Sequence, residues 1–339
     1  MNVLVNTVSV QLGRLRYDSH ASHVRVDLGL LPSVNSVTIT LPPQVGVSAG
    51  PGDDAILSLN NGEGSTEVLT GTVQRVAKGP RRTEVVAADA GAVLAAARIA
   101  QSFQDMTPGD VAQNIAGEVG ANLQSLLLAM DPLPLYVADQ RRTAAEHIAR
   151  LAELGGGFGQ VDAGGDVQLG PWPFLPPTRA LLQGREVIDY AASVHAGGPD
   201  LAFVGMGAGA AGADPRALAQ GTEPVSAGAD DPGSALEWQS RPALRSNIAV
   251  STATEGARGA RAARSARMQA TCWLLPDLRP GMVIKVQGVD DGVSGGPWLL
   301  THVRHDVSRP SGGLTRLRAV SAEGPSLLGA LGDALGGLF

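Results

Sequence analysis

The spacing of apolar residues changes twice along this chain, and no other feature constrains its fold as strongly. Between Val34 and Leu41 apolar and polar side chains alternate, which is typical of a strand with one buried face. From Asp89 onward apolar residues recur every three or four positions, as on amphipathic helices. Strand-like runs return after Leu181. The pattern therefore predicts a mixed α+β fold that is mainly β.

These changes divide the chain into four segments. We expect two similar small β-barrel domains that flank an α/β module, followed by a short C-terminal helical tail. The second barrel is expected to contain a helical insertion from Thr254 to about Met268. The first barrel takes residues 1–88, the α/β module residues 89–177, the second barrel residues 178–320 and the apolar tail residues 321–339.

Local signals place the helices of the module. The alanine-rich residues 89–102 are predicted to be helical. Thr107 is a favourable N-cap, with Asp110 three residues later, so a second helix is expected to begin there. Thr143 and Glu146 have the spacing of another capping box, which predicts the start of a third helix.

Two hairpins of similar pattern lie near the two ends of the chain, at residues 50–76 and 279–303. Each begins with a Pro-Gly turn, continues as an apolar strand, and returns through a second turn as another strand. Unrelated hairpins share this pattern, so coincidence and a duplicated barrel both stay open as explanations.

Composition excludes several classes of protein. The formal net charge is −6 and aromatic residues make up 4%, so neither a basic nucleic-acid surface nor a base-stacking platform is expected. Cys272 is the only cysteine, which excludes an intrachain disulfide and a cysteine metal site. No window approaches the roughly 18 apolar residues of a membrane span, and the N-terminus lacks a secretory-signal pattern. We expect a soluble protein made in a reducing compartment.

Two serines, Ser48 and Ser294, occur in the G-x-S-x-G pattern of serine hydrolases. Such a nucleophile lies on a sharp turn between a strand and a helix. Both serines are instead followed by a proline and a strand-like run, and 44 glycines make chance matches frequent. A Gly-x-Gly-x-x-Gly run at 207–212 lacks the second strand and acidic residue of a dinucleotide site. A serine hydrolase is the alternative function, but we predict that the chain is not an enzyme.

Histidine pairs and an arginine row are also weak signals. His302 and His305 lie three residues apart on a predicted strand, so their side chains point to opposite faces and cannot share an ion. His20 and His23 lie in a predicted turn. We therefore predict no metal and no cofactor. The arginines that recur every three residues within 258–267 are interpreted as a solvated or interface face of a helix.

Several pieces of the chain occur in an order shared with one known family. They cover both ends and the middle of the chain, and each piece is short. The pieces are residues 52–59 and 69–73, 88–103 and 107–116, 140–152, 278–281, 296–300 and 314–317.

With these pieces the chain resembles the baseplate hub proteins of contractile injection systems, the phage late control D family. The resemblance implies a structural hub, a homotrimer that adapts a three-fold central spike to a six-fold tail tube without catalysis. The implied partners are further copies of the chain, the central spike protein, tail tube or tube-initiator proteins, and baseplate wedge proteins. Neither a membrane nor sequence-specific nucleic acid is implied. The implied location is the tail baseplate of a virion or injection particle, assembled in the host or producer cytoplasm.

Two features depart from the family pattern. His147 and Ile148 stand where an aromatic residue and a leucine are common, and the sequence stops at Phe339, where fused spike proteins continue. We therefore expect the spike to be a separate polypeptide. Large apolar side chains in the tail are the candidate docking residues for a partner. They are Leu327, Leu328, Leu331, Leu335 and Phe339.

Overall fold

The computed structural model describes residues 6–18, 20–125, 132–171, 177–195, 200–205, 236–241, 243–244, 247–289, 296–308 and 312–322. Within these residues the chain is mainly β, with four helices. The predicted class, mixed α+β and mainly β, is confirmed. The division into domains stays a prediction, and the C-terminal tail after Ala322 lies outside the described residues.

The first β region alternates buried and exposed side chains along its strands. In the fourth strand Val37, Ile39 and Leu41 are buried and the residues between them are only partly buried, as the alternation in the sequence predicted. The strands are β1 (Thr7–Leu12), β2 (Leu15–Arg16), β3 (His23–Gly29), β4 (Ser36–Leu41), β5 (Asp54–Asn60), β6 (Ser65–Lys78) and β7 (Thr83–Ala88).

The middle of the chain mixes short strands with three helices, and both predicted N-caps are present. The capping box predicted at Thr107 is not closed, because the Asp110 carboxylate accepts from Thr107 Oγ1 and not from the Thr107 N–H. Thr107 Oγ1 accepts from the Asp110 N–H at 3.1 Å. Thr143 and Glu146 form the complete reciprocal capping box. The elements are α1 (Gly91–Ala96), β8 (Gln101–Met106), α2 (Pro108–Glu118), β9 (Leu123–Ser125), β10 (Leu133–Ala138), α3 (Ala144–Leu154), β11 (Gly157–Val161) and β12 (Val167–Pro171).

The second β region contains the helical insertion that the sequence predicted. The insertion lies between two strands that pair with each other, β14 and β17. The elements are β13 (Arg179–Leu182), β14 (Val187–Val194), β15 (Asp200–Gly205), β16 (Leu236–Arg241), α4 (Asn247–Ser265), β17 (Ala266–Trp273), β18 (Val283–Gln287), β19 (Trp298–Ser308) and β20 (Gly312–Ser321).

One 13-stranded sheet joins the two β regions. Its main path runs β14-β17-β20-β19-β3-β4-β7-β6-β5-β1-β2, with β18 and β13 attached at β19. The two regions meet where β19 pairs with β3. The core of this sheet draws on both regions, with Val26 and Ile39 from the first and Trp298 and Val303 from the second. The two β regions are therefore hydrogen-bonded and packed into one body.

The α/β module has its own apolar core. Ile115 of α2 and Leu151 of α3 are fully buried in it, and Val250 and Ala253 of α4 join the same cluster. Contact between α4 and the end of α3 is close, because a Cβ on Gly256 would lie 2.4 Å from the Cα of Gly156. The insertion thus connects the second β region to the module.

Two predicted helices differ from the structure. The helix expected at 89–102 spans only Gly91–Ala96, because residues 101–106 pair with β10 as a strand. The helix expected from Thr254 to Met268 begins earlier, at Asn247, and ends at Ser265. Arg267 therefore lies on β17 and does not continue the helical arginine row. In both cases pairing with a distant strand outweighed the local helical pattern.

Candidate subunit interface

The hairpins β5–β6 and β18–β19 share the same backbone hydrogen bonds. The Gly52 N–H donates to Val73 O at 2.8 Å, and the Gly281 N–H donates to Leu300 O at 2.8 Å. In each hairpin the acceptor residue donates back to the residue after the glycine, at 2.8 and 2.9 Å. Both glycines have positive φ, +93° and +85°, a conformation that strains other residues. The similarity of the two hairpins in sequence is therefore a repeat in structure.

The repeat extends into the neighbouring strands. The pairing of β6 with β7 shifts register between Val73 and Arg75, and that of β19 with β20 shifts between Leu300 and His302. The registers then make β7 equivalent to β20, β4 to β17 and β3 to β14. Eight strands of the sheet form a row in which β14-β17-β20-β19 is followed by the equivalent set β3-β4-β7-β6. The flanks differ, because β1 pairs antiparallel with β5 whereas β13 pairs parallel with β18.

The two halves of this row meet at the junction of β19 with β3. The strands are antiparallel, and Val303 lies opposite Leu28. Both side chains are buried in the core, at 0% and 1% exposure. Each half of the row therefore covers the edge of the other.

Ion pairs cross the junction on its other face. Arg304 donates to Asp27, and Arg25 donates to Asp306 at 3.0 Å. His302 lies 3.6 Å from Asp27. Burial raises the pKa of Asp27, but the hydrogen bonds from His302 and Arg304 outweigh that effect and lower it. The junction is thus apolar on its core face and charge-paired on the exposed face.

The outer edge of β14 has no neighbouring strand among the described residues. Val194 of β14 is equivalent to Leu28 of β3, yet it is 58% exposed whereas Leu28 is 1% exposed. Ala192 is likewise exposed, although its equivalent Val26 is fully buried. The difference arises because β3 has β19 beside it, whereas β14 has no strand on its outer side within the described structure.

The opposite end of the row is also open. The last residues of β6, Arg75–Lys78, pair with β7 on one side, while the pairing of β6 with β5 ends at Thr72. Their equivalents in β19, residues 302–305, have β3 on that second side. Unpaired sheet edges are templates for pairing with another chain. The two open edges, at β6 and β14, are therefore equivalent to β19 and β3, the two strands that pair at the internal junction.

A partly buried arginine links the two halves. Arg279, beside the second Pro-Gly turn, donates to the carbonyl oxygens of Glu67 and Val68 in β6, at 2.6 and 3.1 Å. Burial lowers the pKa of its guanidinium. Together with the junction, this contact fixes the angle between the halves and therefore between the two open edges.

Ser48, one of the two serines considered as alternative nucleophiles, does not lie in a hydrolase setting. Ser48 is exposed, its N–H lies 3.4 Å from the Tyr17 hydroxyl, and a turn and strand β5 follow it, so the strand-turn-helix setting is absent there. Ser294, the run at 207–212 and the predicted docking residues of the tail lie outside the described residues.

The structure separates His302 from His305 as predicted, but it places His23 at the start of strand β3 and not in the predicted turn. His305 is fully buried and bonds Thr315 Oγ1 through Nδ1 at 3.0 Å, whereas His302 lies on the exposed face, so the two side chains point apart. His23 lies 3.9 Å from Asp306. In the described part of the chain no group of three or more potential ligands could hold a metal. None of the described helices combines the length and apolar character needed to cross a membrane.

Sequence reasoning missed β14 as an element of the candidate interface. Its sequence, VIDYAASV, places apolar residues on both faces of the strand, and Ile188 and Val194 are 45% and 58% exposed. Apolar residues on both faces, in a strand that the single chain leaves exposed, are a signal for a further partner. The pattern was visible in the sequence, but the exposure was not.

Comparison with solved structures identifies the same architecture elsewhere. A tail protein from Neisseria meningitidis MC58 matches with a TM-score of 0.68 and 15% identity, over 94% of this chain and 97% of that one. The 43 kDa tail protein of prophage MuSo2 from Shewanella oneidensis matches with a TM-score of 0.67 and 14% identity, over 93% and 98%.

A component of the type VI secretion system of E. coli, c3393, has a TM-score of 0.63 and 13% identity, over 93% of this chain and 78% of that chain. That protein is described as structurally similar to the T4 bacteriophage tail proteins gp27 and gp5. No family model matches the sequence, and none of the curated proteins matches it. The chain therefore has the fold of phage and type VI secretion tail proteins.

Proposed function

We propose that this protein is a structural hub of a contractile tail baseplate, a homotrimer that adapts a three-fold spike to a six-fold tail tube. The fold shared with tail proteins supports a structural role in a tail. The observation that carries the trimer is the pair of open edges, because they are equivalent to the two strands of the internal junction. Pairing of β3 with β19 buries Leu28 within the chain. The equivalent residue of β14, Val194, has no such pairing in the described structure, so this edge can pair with a neighbouring subunit.

Repeating the internal junction between chains predicts a definite register. Since Val303 lies opposite Leu28, the equivalent Val76 is expected opposite Val194 of the next subunit. Ala77 is then expected opposite Ser193 of the next subunit, and Lys78 opposite Ala192. Each chain uses both of its edges, so the contact is head-to-tail, and the proposed ring requires that the angle between the two edges correspond to a three-fold rotation.

The internal repeat explains how such a ring meets a six-fold partner. Three chains with two equivalent four-stranded sets each present six similar surfaces around the axis. The α/β module occurs once per chain and would keep three-fold symmetry, which suits a three-fold spike. We therefore propose that the main sheet faces the tube and the module faces the spike.

The remaining partners and the location follow from this role. Wedge proteins of the baseplate would surround the ring, and the protein would reside in a virion or injection particle assembled in the producing cell. The predicted docking residues of the tail, with Leu331 and Leu335 at their centre, are proposed to contact a neighbouring subunit or the base of the spike. Replacing both leucines by Ser should then reduce spike attachment while the fold is kept.

Cysteine cross-linking tests the proposed register. The variant Ala77→Cys/Ser193→Cys places two thiols directly opposite each other across the contact, where Cβ atoms of paired strands lie about 5 Å apart. Mild oxidation should convert the protein into a covalent species of three chains of 34.6 kDa each. The native Cys272 is buried, and burial raises the pKa of its thiol to about 12, so it should not react.

A matched control separates the register from random collision. In Ala77→Cys/Ala191→Cys the second thiol lies two residues away on the same strand, and cross-linking should be much weaker. Each single variant should yield no covalent trimer. A ladder that continues beyond three chains, a stable dimer by light scattering, or equal cross-linking in the control would overturn the proposal.

A further inference from the structure

A cleft of about 780 Å³ lies between the α/β module and the end of the main sheet. Helix α3 and strand β11 line one side, β17 and β20 line the other, and Leu30–Ser33 contribute from the loop after β3. We call it the arginine cleft, since five arginines and only two glutamates line it. Its volume is in the range of clefts that bind ligands. The charged lining residues are Arg142, Arg150, Arg264, Arg267, Arg318, Glu146 and Glu153.

Both glutamates of the arginine cleft already have partners. Glu146 accepts from the Thr143 N–H at 2.7 Å in the capping box of α3. Glu153 lies 3.4 Å from Arg264. The acidic side chains therefore leave part of the positive charge in the cleft uncompensated.

Three arginines from three different elements hold this excess charge. Arg150 of α3, Arg267 of β17 and Arg318 of β20 have no acidic partner among the described residues. The Nε atom of Arg150 is shielded from solvent and has no hydrogen-bond partner among the described residues. Arg318 lies opposite Gln269, so it is a diagonal neighbour of Arg267 on the same face of the sheet. Two neighbouring arginines, in the same cleft as an unsatisfied guanidinium donor, favour a bound anion.

We propose that the arginine cleft binds an acidic polypeptide segment of a partner protein. Its carboxylates would pair with Arg150, Arg267 and Arg318. Its apolar side chains would lie against Leu31 and Phe158, which line the same cleft. This inference goes beyond the proposed hub, and it does not depend on the trimer, because all three arginines belong to one chain.

The composition of the lining favours a peptide over nucleic acid. Single-stranded nucleic acid is held largely by stacking of its bases on aromatic side chains. Phe158 is the only aromatic residue among those that line the cleft in the described structure. The chain as a whole also has a net charge of −6, which repels a long polyanion outside this local site. A short acidic segment with apolar residues matches both the charge and the walls.

Fluorescence anisotropy on the full chain tests this inference. The probe is a fluorescein-labelled hexapeptide of alternating Glu and Leu, compared with the same design built from Lys and Leu and with a labelled oligothymidine. The acidic peptide should bind, and the lysine peptide should not. The variant Arg150→Gln/Arg267→Gln/Arg318→Gln should weaken binding by about tenfold or more, since each pairing is a charge-assisted contact.

Two further variants keep the result interpretable. Arg14→Gln/Arg16→Gln/Arg81→Gln makes the same change in net charge at exposed residues outside the cleft, and it should bind the acidic peptide as the wild type does. Arg267→Gln/Arg318→Gln alters only exposed side chains, so it should fold normally and still lose affinity. The proposal is wrong if the acidic peptide does not bind, if both triple variants lose affinity equally, or if the oligothymidine binds more tightly than the peptide.

Discussion

Replacing one buried carboxylate, in Asp89→Asn, is expected to stabilise the protein at neutral pH but not in acid. Asp89 follows β7 and is 3% exposed. Its Oδ1 accepts from the Gly91 N–H at 2.8 Å, while its Oδ2 has no hydrogen-bond partner in the described part of the chain. Burial raises the pKa of this carboxyl from 3.8 to about 6. The ionised form is therefore disfavoured in the folded protein.

The size and sign of the effect follow from this shift. The folded state binds the proton more tightly than the unfolded state, so the contribution of Asp89 to stability is fully present below pH 3.8 and is lost as the pH rises through about 6. A pKa difference of one is worth about 1.4 kcal/mol, so the ionised carboxylate costs about 3 kcal/mol. In the variant the amide oxygen can keep the bond to Gly91, but its NH2 group replaces the unpartnered Oδ2 at a cost of about 1 kcal/mol. The net gain expected above pH 6 is about 2 kcal/mol.

Urea denaturation, followed by circular dichroism at about pH 7.5 and about pH 4, measures this difference. Asp54→Asn removes the same charge from an exposed side chain and should change neither value. Other titrating groups, His305 included, are common to the wild type and the variant and cancel in the difference. A variant that gains nothing at the higher pH, or gains equally at both, would refute the argument that burial of the charge is the cause.

Two further predictions concern other buried or capping groups. Burial, together with the positive charge of Arg279, lowers the pKa of His305 from 6.5 to about 4. At His305 the unfolded chain therefore binds more protons in acid, so the contribution of this histidine to stability is lost as the pH falls from about 6.5 to about 4. The difference in unfolding free energy between His305→Gln and the wild type should shift in favour of the variant over that range. Thr143→Ala removes the acceptor of the Glu146 N–H, at 3.2 Å, and should cost about 1 kcal/mol in urea denaturation. Thr178→Ala, outside any helix, serves as its control for loss of a side-chain hydrogen bond, and it should leave the helical signal unchanged.

The sequence by itself determined the elements whose cause is local. The helix starts at Thr107 and Thr143 were predictable because each cap is made by residues three positions apart. The hairpin turns at Gly52 and Gly281 were predictable because glycine adopts positive φ without the strain that a Cβ causes. The alternation in β4 predicted which of its faces is buried. The class of the fold followed from the order of these elements.

Only the tertiary structure decided the features that depend on distant partners. Residues 101–106 became a strand because β10, about thirty residues later, pairs with them. Arg267 left the helical arginine row because β17 is held between β14 and β20. The joining of the two β regions through β19 and β3 likewise depends on residues almost the whole chain apart.

The candidate interface also depends on distant partners and could not be predicted from the sequence alone. Equivalent strands, β3 and β14, have similar registers, yet one is buried and the other is open. Which of them has a neighbour is set by the order of strands in the sheet, and backbone hydrogen bonds between distant strands leave no periodic signal in the sequence. The sequence could therefore indicate a repeat, whereas the unpaired edges of that repeat became visible only when the whole sheet was assembled.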